Sequence, residues 1–397
     1  MINNKRVLSI PILIVSILGM SSCPILHDGF FFGESSEYTN TACIATLSPD
    51  GTVTHKTVYI CPKSDIRQEL VTSVKFIKLE DDILLITELT NYDFEEDDTD
   101  YITLNDSRFL YSKYSDKFNT TADWPDNYNM YNSLLINGQL WLYNDYDQSY
   151  FSVDDTLEIK ETHENPFSES DGYLYDTAIV GNHIYWLFKK EYIGPYLKIT
   201  DTDFKPEKDP EYFIDLDSYK NISNIIAGTD SISVITCKKI KEGSYTKIVT
   251  IENILNGEEL EQKEINVDLS GRFSAFYSQK KEIILFQTSD TFYSYNSSTS
   301  CIYSLPKNEI STQKLAINNT SISLDNSNNI IVIIPQYEDS NDNYYYDAKT
   351  IEVRTYDQEF KLQNTQTVEP TGTDNRELLS TYICNDNTIL LSYTTSY

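Results

Sequence analysis

The chain has 397 residues, enough for two or three ordinary domains or for one large repeat architecture. A hydrophobic content of 40% is too rich for a disordered chain, and 31 Tyr with 17 Phe favour strands over helices. With 61 acidic against 31 basic residues the formal charge is -30, which sets the average surface against nucleic acid and anionic headgroups and leaves cationic partners easier to accommodate.

The chain opens on a short basic lead, MINNKR, then an apolar stretch of 14 residues, VLSIPILIVSILGM, then SSC, a small-residue site ending at Cys23. This is the layout of an export signal over residues 1–22. The apolar stretch falls short of the roughly 20 residues that cross a bilayer as a helix, and no later run approaches that length. The site resembles the lipobox of bacterial lipoproteins, in which small residues precede a cysteine that is diacylated and becomes the mature N-terminus. That resemblance implies lipidation of Cys23, a tether over residues 23–36, and an extracytoplasmic place in the bacterial cell envelope. Burying acyl chains contributes roughly 0.8 kcal/mol per methylene, so two or more chains would hold the protein durably on a membrane. Met20 departs from the Leu, Val or Ile usual three residues before the cysteine, which keeps ordinary signal-peptidase cleavage as the alternative. Pro24 stands where a retention-type Asp would favour the inner membrane, so the resemblance favours the outer one.

From residue 37 to 397 the chain reads as strands and is expected to form one domain. Residues 42–60, ACIATLSPDGTVTHKTVYI, alternate apolar with polar around a turn, as an outer hairpin should. A different phrase then recurs, a polar two-residue turn followed by a dense apolar strand, as in KFIKLEDDILLITEL and SLLINGQLWLYND. Its turns fall at Asp81, Asn137, Gly181, Thr229, Lys280, Asn328 and Asp386, spaced 44 to 58 residues apart. The mean, about 51, lies slightly above the 40–50 typical of propeller blades. The second strand of each phrase, such as ILLI, IIVII or EIILF, is almost continuously apolar, which means both of its faces are buried. Parallel α/β sheets share that property but need crossover helices, and the intervening segments carry no 3.6-residue apolar stripe.

A more polar hairpin follows each of the first six phrases, over residues 101–115, 150–162, 196–208, 247–265, 292–305 and 350–364. The seventh phrase has none after it, whereas the hairpin at 42–60 has no inner hairpin before it. The expected fold is therefore all-β, a seven-bladed β-propeller whose N-terminal strands complete the C-terminal blade and so leave no long unpaired edge. Six blades with an unrelated N-terminal hairpin, and a β-sandwich, are the alternatives. No WD40, kelch or complete Asp-box signature repeats along the chain, and SPDGTV at 48–53 is only a fragment of the last.

In such a fold the loops joining strands 2 and 3, and the links to the next blade, collect on one face. Here that face gathers 91–100, 144–148, 189–195 and 336–347 with links such as 116–131, 163–172 and 207–221, an acidic and tyrosine-rich set. The candidate ligand-binding residues are Tyr92, Asp93, Trp124, Tyr146, Tyr192, Tyr337, Tyr344 and Tyr345. Aromatic side chains supply rigid contact area, and carboxylates hydrogen-bond sugars or pair with Lys and Arg. The expected partner is a protein or a glycan, met by a monomer.

Within 336–347, Asp339, Asn341 and Asn343 resemble the opening of a calcium loop. Tyr344 stands where that loop needs glycine and Thr350 where it needs an acid, so no cofactor is expected. The four histidines, His27, His55, His163 and His183, have no metal-ligand spacing. No nucleophile elbow, Walker loop or dinucleotide fingerprint is present. A polysaccharide-acting hydrolase or lyase on the same scaffold is the competing function; no carboxylate pair stands out for it. Besides Cys23, the cysteines are Cys43, Cys61, Cys237, Cys301 and Cys384, an odd number without a CxxC knuckle, read mostly as small buried hydrophobes.

Overall fold

The computed structural model describes residues 40–61, 67–78, 82–94, 102–114, 133–144, 149–153, 158–164, 173–190, 194–207, 212–213, 220–227, 232–239, 246–255, 258–268, 274–277, 283–287, 290–296, 298–337, 347–372 and 374–396. Among them the architecture is all-β. The strands begin with β1 (Asn40–Leu47) and β2 (Val53–Ile60), followed by β3 (Arg67–Lys78), β4 (Ile83–Phe94) and β5 (Ile102–Lys113). Next come β6 (Ser133–Ile136), β7 (Gln139–Asn144), β8 (Ser149–Val153) and β9 (Ile159–Glu164), then β10 (Tyr173–Val180), β11 (His183–Lys190), β12 (Gly194–Asp201) and β13 (Tyr212–Phe213). The chain continues through β14 (Lys220–Ala227), β15 (Ile232–Lys239), β16 (Thr246–Leu255) and β17 (Glu258–Asp268), then β18 (Ser274–Tyr277), β19 (Ile283–Gln287), β20 (Thr291–Asn296) and β21 (Cys301–Pro306). It ends with β22 (Ser321–Leu324), β23 (Ile330–Tyr337), β24 (Ala348–Tyr356), β25 (Leu362–Val368), β26 (Asp374–Ile383) and β27 (Ile389–Ser396).

Each of the seven predicted inner hairpins is an antiparallel pair: β3–β4, β6–β7, β10–β11, β14–β15, β18–β19, β22–β23 and β26–β27. At Asn137 and Gly138 both central residues take positive φ, 52° and 79°, the conformation that Asn-Gly adopts most readily in a tight hairpin. The described strands form six four-stranded sheets and one three-stranded sheet. One of the four-stranded sheets takes strands from both ends of the chain, in the order β2-β1-β27-β26. There β1 pairs with β27 without interruption from Asn40 opposite Ser396 to Leu47 opposite Ile389.

The sheets pack on one another in chain order. Leu84, Ile86 and Tyr111 of the β3–β5 sheet share a core with Leu140, Leu142 and Phe151 of the next. That sheet meets the β10–β13 sheet through Trp141, Tyr150, Trp186 and Phe204. Further on, β10 lies beside β14 and β14 beside β18, Phe292 packs with Val332 and Ile334, and Ile333 and Val353 pack with Leu391 and Tyr393. The sheet holding both chain ends then meets the β3–β5 sheet through Ile44, Leu85 and Leu390, so the last interface returns to the first sheet. Tyr114, just past β5, fastens this junction: its hydroxyl lies 2.7 Å from Thr46 Oγ1 and its carbonyl accepts from Lys56 Nζ at 2.9 Å.

Burial follows from that packing. Every residue of β27 is buried and β23 nearly matches it, because each lies inside a sheet covered on both faces. Edge strands β9 and β25 are largely exposed, as their charged and amide side chains require.

One predicted outer hairpin is corrected. Residues 102–113, within the expected hairpin, do not turn back on themselves; they form the single strand β5, which pairs with β4 from Phe94 opposite Ile102 to Leu84 opposite Lys113. Because β4 is 12 residues long, it offers a pairing partner to the whole segment. The polar pair is absorbed as a bulge in which Asn105 has no opposite number, between Asp106 facing Asn91 and Leu104 facing Tyr92. The sheet consequently has three strands among the described residues.

A second feature of the turns was not anticipated. The same five-residue turn closes DTDFK (201–205), DNSNN (325–329) and DQEFK (357–361). In each, the leading Asp Oδ1 accepts from the N–H groups two and four residues on, at 2.8–2.9 Å. The fourth residue, Phe204, Asn328 or Phe360, takes a left-handed φ of 60–61°. Asn tolerates that region, but Phe pays about 1–2 kcal/mol to enter it. Both rings are buried, Phe204 to 5% exposure and Phe360 to 9%, which offsets the strain. The motif D-x-x-F-K is thus a turn whose αL residue also plugs a core.

Candidate functional site

The predicted loop face is best defined around the β18–β21 sheet, the β22–β25 sheet and the sheet of the chain ends. Pro306 ends β21 and feeds a 3-10 turn over Lys307–Glu309 and a one-turn helix over Lys314–Asn318, and the helix packs on β23. This link is pinned to neighbouring loops by polar contacts. Lys307 N donates to Asp290 O at 2.7 Å, joining it to the β19–β20 connection. Gln313 holds the main chain of Tyr337 at both ends, Nε2 donating to Tyr337 O at 2.9 Å and Oε1 accepting from Tyr337 N at 3.2 Å.

Across the next junction, Asp347 receives Arg376 Nε at 2.7 Å and Nη2 at 3.0 Å, with Lys349 Nζ at 2.7 Å. Burial alone would raise the Asp347 pKa, but the hydrogen bonds and charge of Arg376, with Lys349, hold it below the usual carboxylate range. This clasp joins β24 to β26. On the same side of the closing sheet, Asn40 Oδ1 accepts from Val71 N and Asn40 O from Cys61 N, each at 2.9 Å. Gly372, at φ +95°, lies so near Thr395 that an added Cβ would stand 1.9 Å from its Oγ1; only glycine fits there.

Of the predicted contact residues, Tyr337 has a different environment from the one expected. It is 7% exposed, lies in the core between two sheets, and its hydroxyl accepts from Asn319 Nδ2 at 2.9 Å. Tyr92 and Asp93 belong to strand β4, which continues to Phe94, rather than to a loop beginning at 91. Trp124, Tyr146, Tyr192, Tyr344 and Tyr345 lie outside the described residues, as do Cys23 and the calcium-like Asp339, Asn341 and Asn343.

Among the described residues no group of three or more His, Cys, Asp or Glu is placed to hold a metal. Three histidines have packing partners. His55 Nδ1 lies 3.0 Å from the Tyr393 hydroxyl, and burial lowers its pKa. His163 stacks on Phe204 with centroids 5.2 Å apart, and His183 Nδ1 lies 3.0 Å from Glu207. Cys301 and Cys384 are free thiols. Cys43 and Cys61 are buried as expected and burial pushes Cys384 up to about 11, whereas Cys301, on an edge strand, is exposed.

Sequence reasoning passed over Lys307, because a lysine in a polar link ordinarily faces water. Here it is 6% exposed, with Nζ 4.6 Å from the Phe292 ring centroid. Burial lowers its pKa, and the charge of Asp290 opposes this. The only available signal was its position directly after the strand-ending Pro306.

No protein-family model matches the chain, and no curated protein does. Solved structures do match, and they include propellers. The Dos1 propeller is 8% identical, with a TM-score of 0.46 over 94% of this chain and 88% of that one. The WD40 domain of SCAP from fission yeast is 10% identical, with a TM-score of 0.39 over 94% and 96%. The extracellular domain of the one-component system BT4673 from B. thetaiotaomicron is 12% identical, with a TM-score of 0.39 over 80% of this chain and 49% of that one.

Proposed function

We propose that the chain is a seven-bladed β-propeller that acts as a binding module, lipid-anchored outside the cytoplasm through Cys23, with its loop face as the working surface. The observation that carries this reading is the cyclic packing of the sheets, in which β1 and β27 share one sheet and each sheet meets the next. Such a ring gathers strand 2–3 loops and sheet-to-sheet links on one side, where separate segments of sequence act on one partner. The partner is a protein or glycan met through acidic and aromatic groups, and the fixed links around Asp290, Gln313 and Asp347 give that surface a rigid frame. Rigid support lowers the ordering cost of binding.

Two measurements test the parts separately. In a bacterial host, Cys23→Ala is expected to move the exported protein from the membrane fraction to the soluble one; retention in the membrane contradicts the anchor. Capture from envelope extract is expected to fail when the loops at 91–100 and 336–347 are shortened in a protein that still folds. Unchanged capture by that variant contradicts the loop face as the surface.

A further inference from the structure

Strand β25, LQNTQTV, stands at the end of its sheet among the described residues, and all of it except Val368 is exposed or half-buried. It carries no charge. An open edge offers N–H and C=O groups to another strand, and proteins ordinarily guard such edges with charged side chains or Pro. The other outermost strands longer than two residues follow that rule: β2 contains Lys56, β5 Arg108 and Lys113, β9 Lys160 and β17 Lys263, while β21 ends in Pro306. The β25 edge is also apolar at one end, where Leu362 is 56% exposed. At its centre, Thr365 N–H donates to the adjoining Asn364 Oδ1 at 2.9 Å, an exposed bond that a backbone carbonyl can replace.

Charge selects the occupant. The strand is flanked by Lys361 before it and Glu369 after it, both exposed, so it complements itself when turned end for end. Lys361 lies 2.6 Å from Glu359 of its own chain, yet 70% of its side chain stays exposed. An antiparallel copy related by a two-fold axis through Thr365 sets Asn364 against Gln366 and brings Lys361 of each copy beside Glu369 of the other. The pairing of β25 with β24 bulges at Gln363, and the long lysine side chain spans that offset. Moving the axis to Asn364 brings Glu359 towards Glu369 instead, a like-charge contact. In a chain of charge -30, an uncharged edge with opposite charges at its two ends is where a second copy is least repelled. We propose that β25 is a self-association edge, through which two copies pair antiparallel about Thr365 and join their β22–β25 sheets into one continuous sheet. The contact is isologous, so it closes at a dimer. A ladder this short buries little area, which makes the dimer weak and concentration-dependent. The monomer expected from the sequence is then the dilute form.

The experiment places a cysteine on the axis, because only there does a residue meet its own copy. In full-length protein carrying Cys301→Ser, which removes the exposed native thiol, Thr365→Cys is expected to form a disulfide-linked dimer on mild oxidation. Facing Cα atoms of antiparallel strands are about 4.5–5.5 Å apart, within the span of that bond. Thr367→Cys, exposed on the same strand, is the control, since its own copy lies about 13 Å away along the partner strand. Linking at 365 is expected to be at least about tenfold faster than at 367 and to rise with protein concentration. Adding Lys361→Glu to the Thr365→Cys protein is expected to slow linking about tenfold by setting like charges together at both ends. Adding Lys361→Glu with Glu369→Lys restores the rate, although both variants lose the contact of Lys361 with Glu359. Near-ultraviolet circular dichroism checks that each variant is folded. No linking at 365 in folded protein, equal linking at 365 and 367, an unchanged rate in Lys361→Glu, or no recovery in the double charge variant overturns the proposal.

Discussion

Asp347→Ala is expected to lower stability by about 3 kcal/mol, at the low end for breaking a buried ion pair. The side chains of Arg376 and Asp347 are only 11% and 16% exposed, so removing the carboxylate strands a guanidinium that water reaches poorly. Asp347 also holds Lys349, and the loss falls on the junction between the β22–β25 sheet and the sheet of the chain ends. Denaturant midpoints measure it. The double variant Asp347→Leu with Arg376→Leu is expected to recover most of the loss, since it leaves no unpaired charge; equal damage in both would show that packing, not charge, is responsible. The pH dependence has a definite sign. Because the Asp347 pKa is depressed in the folded state, its contribution is complete above the ordinary carboxylate value of about 3.9 and is lost as pH falls from there through the folded value. The gap between the unaltered protein and Asp347→Ala is therefore constant from pH 7 to about 5 and closes in stronger acid.

Phe204 gives the second large effect, with a reversal that identifies its cause. Its ring lies 4.9 Å from Trp141, 5.3 Å from Tyr150 and 6.0 Å from Trp186 by centroid. Phe204→Ala is expected to cost about 3–5 kcal/mol through lost burial and the space left behind. Phe204→Gly removes the ring as well but relieves the left-handed backbone, so it is expected to be more stable than Phe204→Ala by about 1 kcal/mol. Thermal or urea unfolding followed by Trp fluorescence reads both, since Trp141 and Trp186 flank the site. A glycine variant less stable than the alanine variant would contradict the turn conformation at residues 201–205.

Those two sites mark where sequence reading succeeds and where it stops. Hairpins were legible because their turns need particular residues, as Asn137 and Gly138 do, and because doubly covered strands such as β23 and β27 leave apolar runs without alternation. Asn105-Asp106 carried the same polar signal, but a bulge accommodates it as well as a turn does, and the length of the facing strand decided between them. The αL turns at Phe204 and Phe360 were hidden because that conformation is sought at glycine and asparagine. For the loop face, composition suggested exposed tyrosines, yet Tyr337 is enclosed by Gln313 and Asn319 from a link 18 to 24 residues away, a contact no local pattern encodes. Lys307 was missed for the converse reason, since lysine ordinarily signals solvent.

The union of the two chain ends in one sheet is tested most directly by a cross-link between them. Thr41 and Thr395 face each other across β1 and β27 and are 1% and 0% exposed. Facing residues of antiparallel strands have Cα atoms about 4.5–5.5 Å apart, within the span of a disulfide. In the folded monomer of Thr41→Cys with Thr395→Cys, a non-reducing digest is expected to yield one peptide pair joined through these positions. Recovery of both thiols unlinked after oxidation of a folded monomer would place the ends apart and contradict the ring.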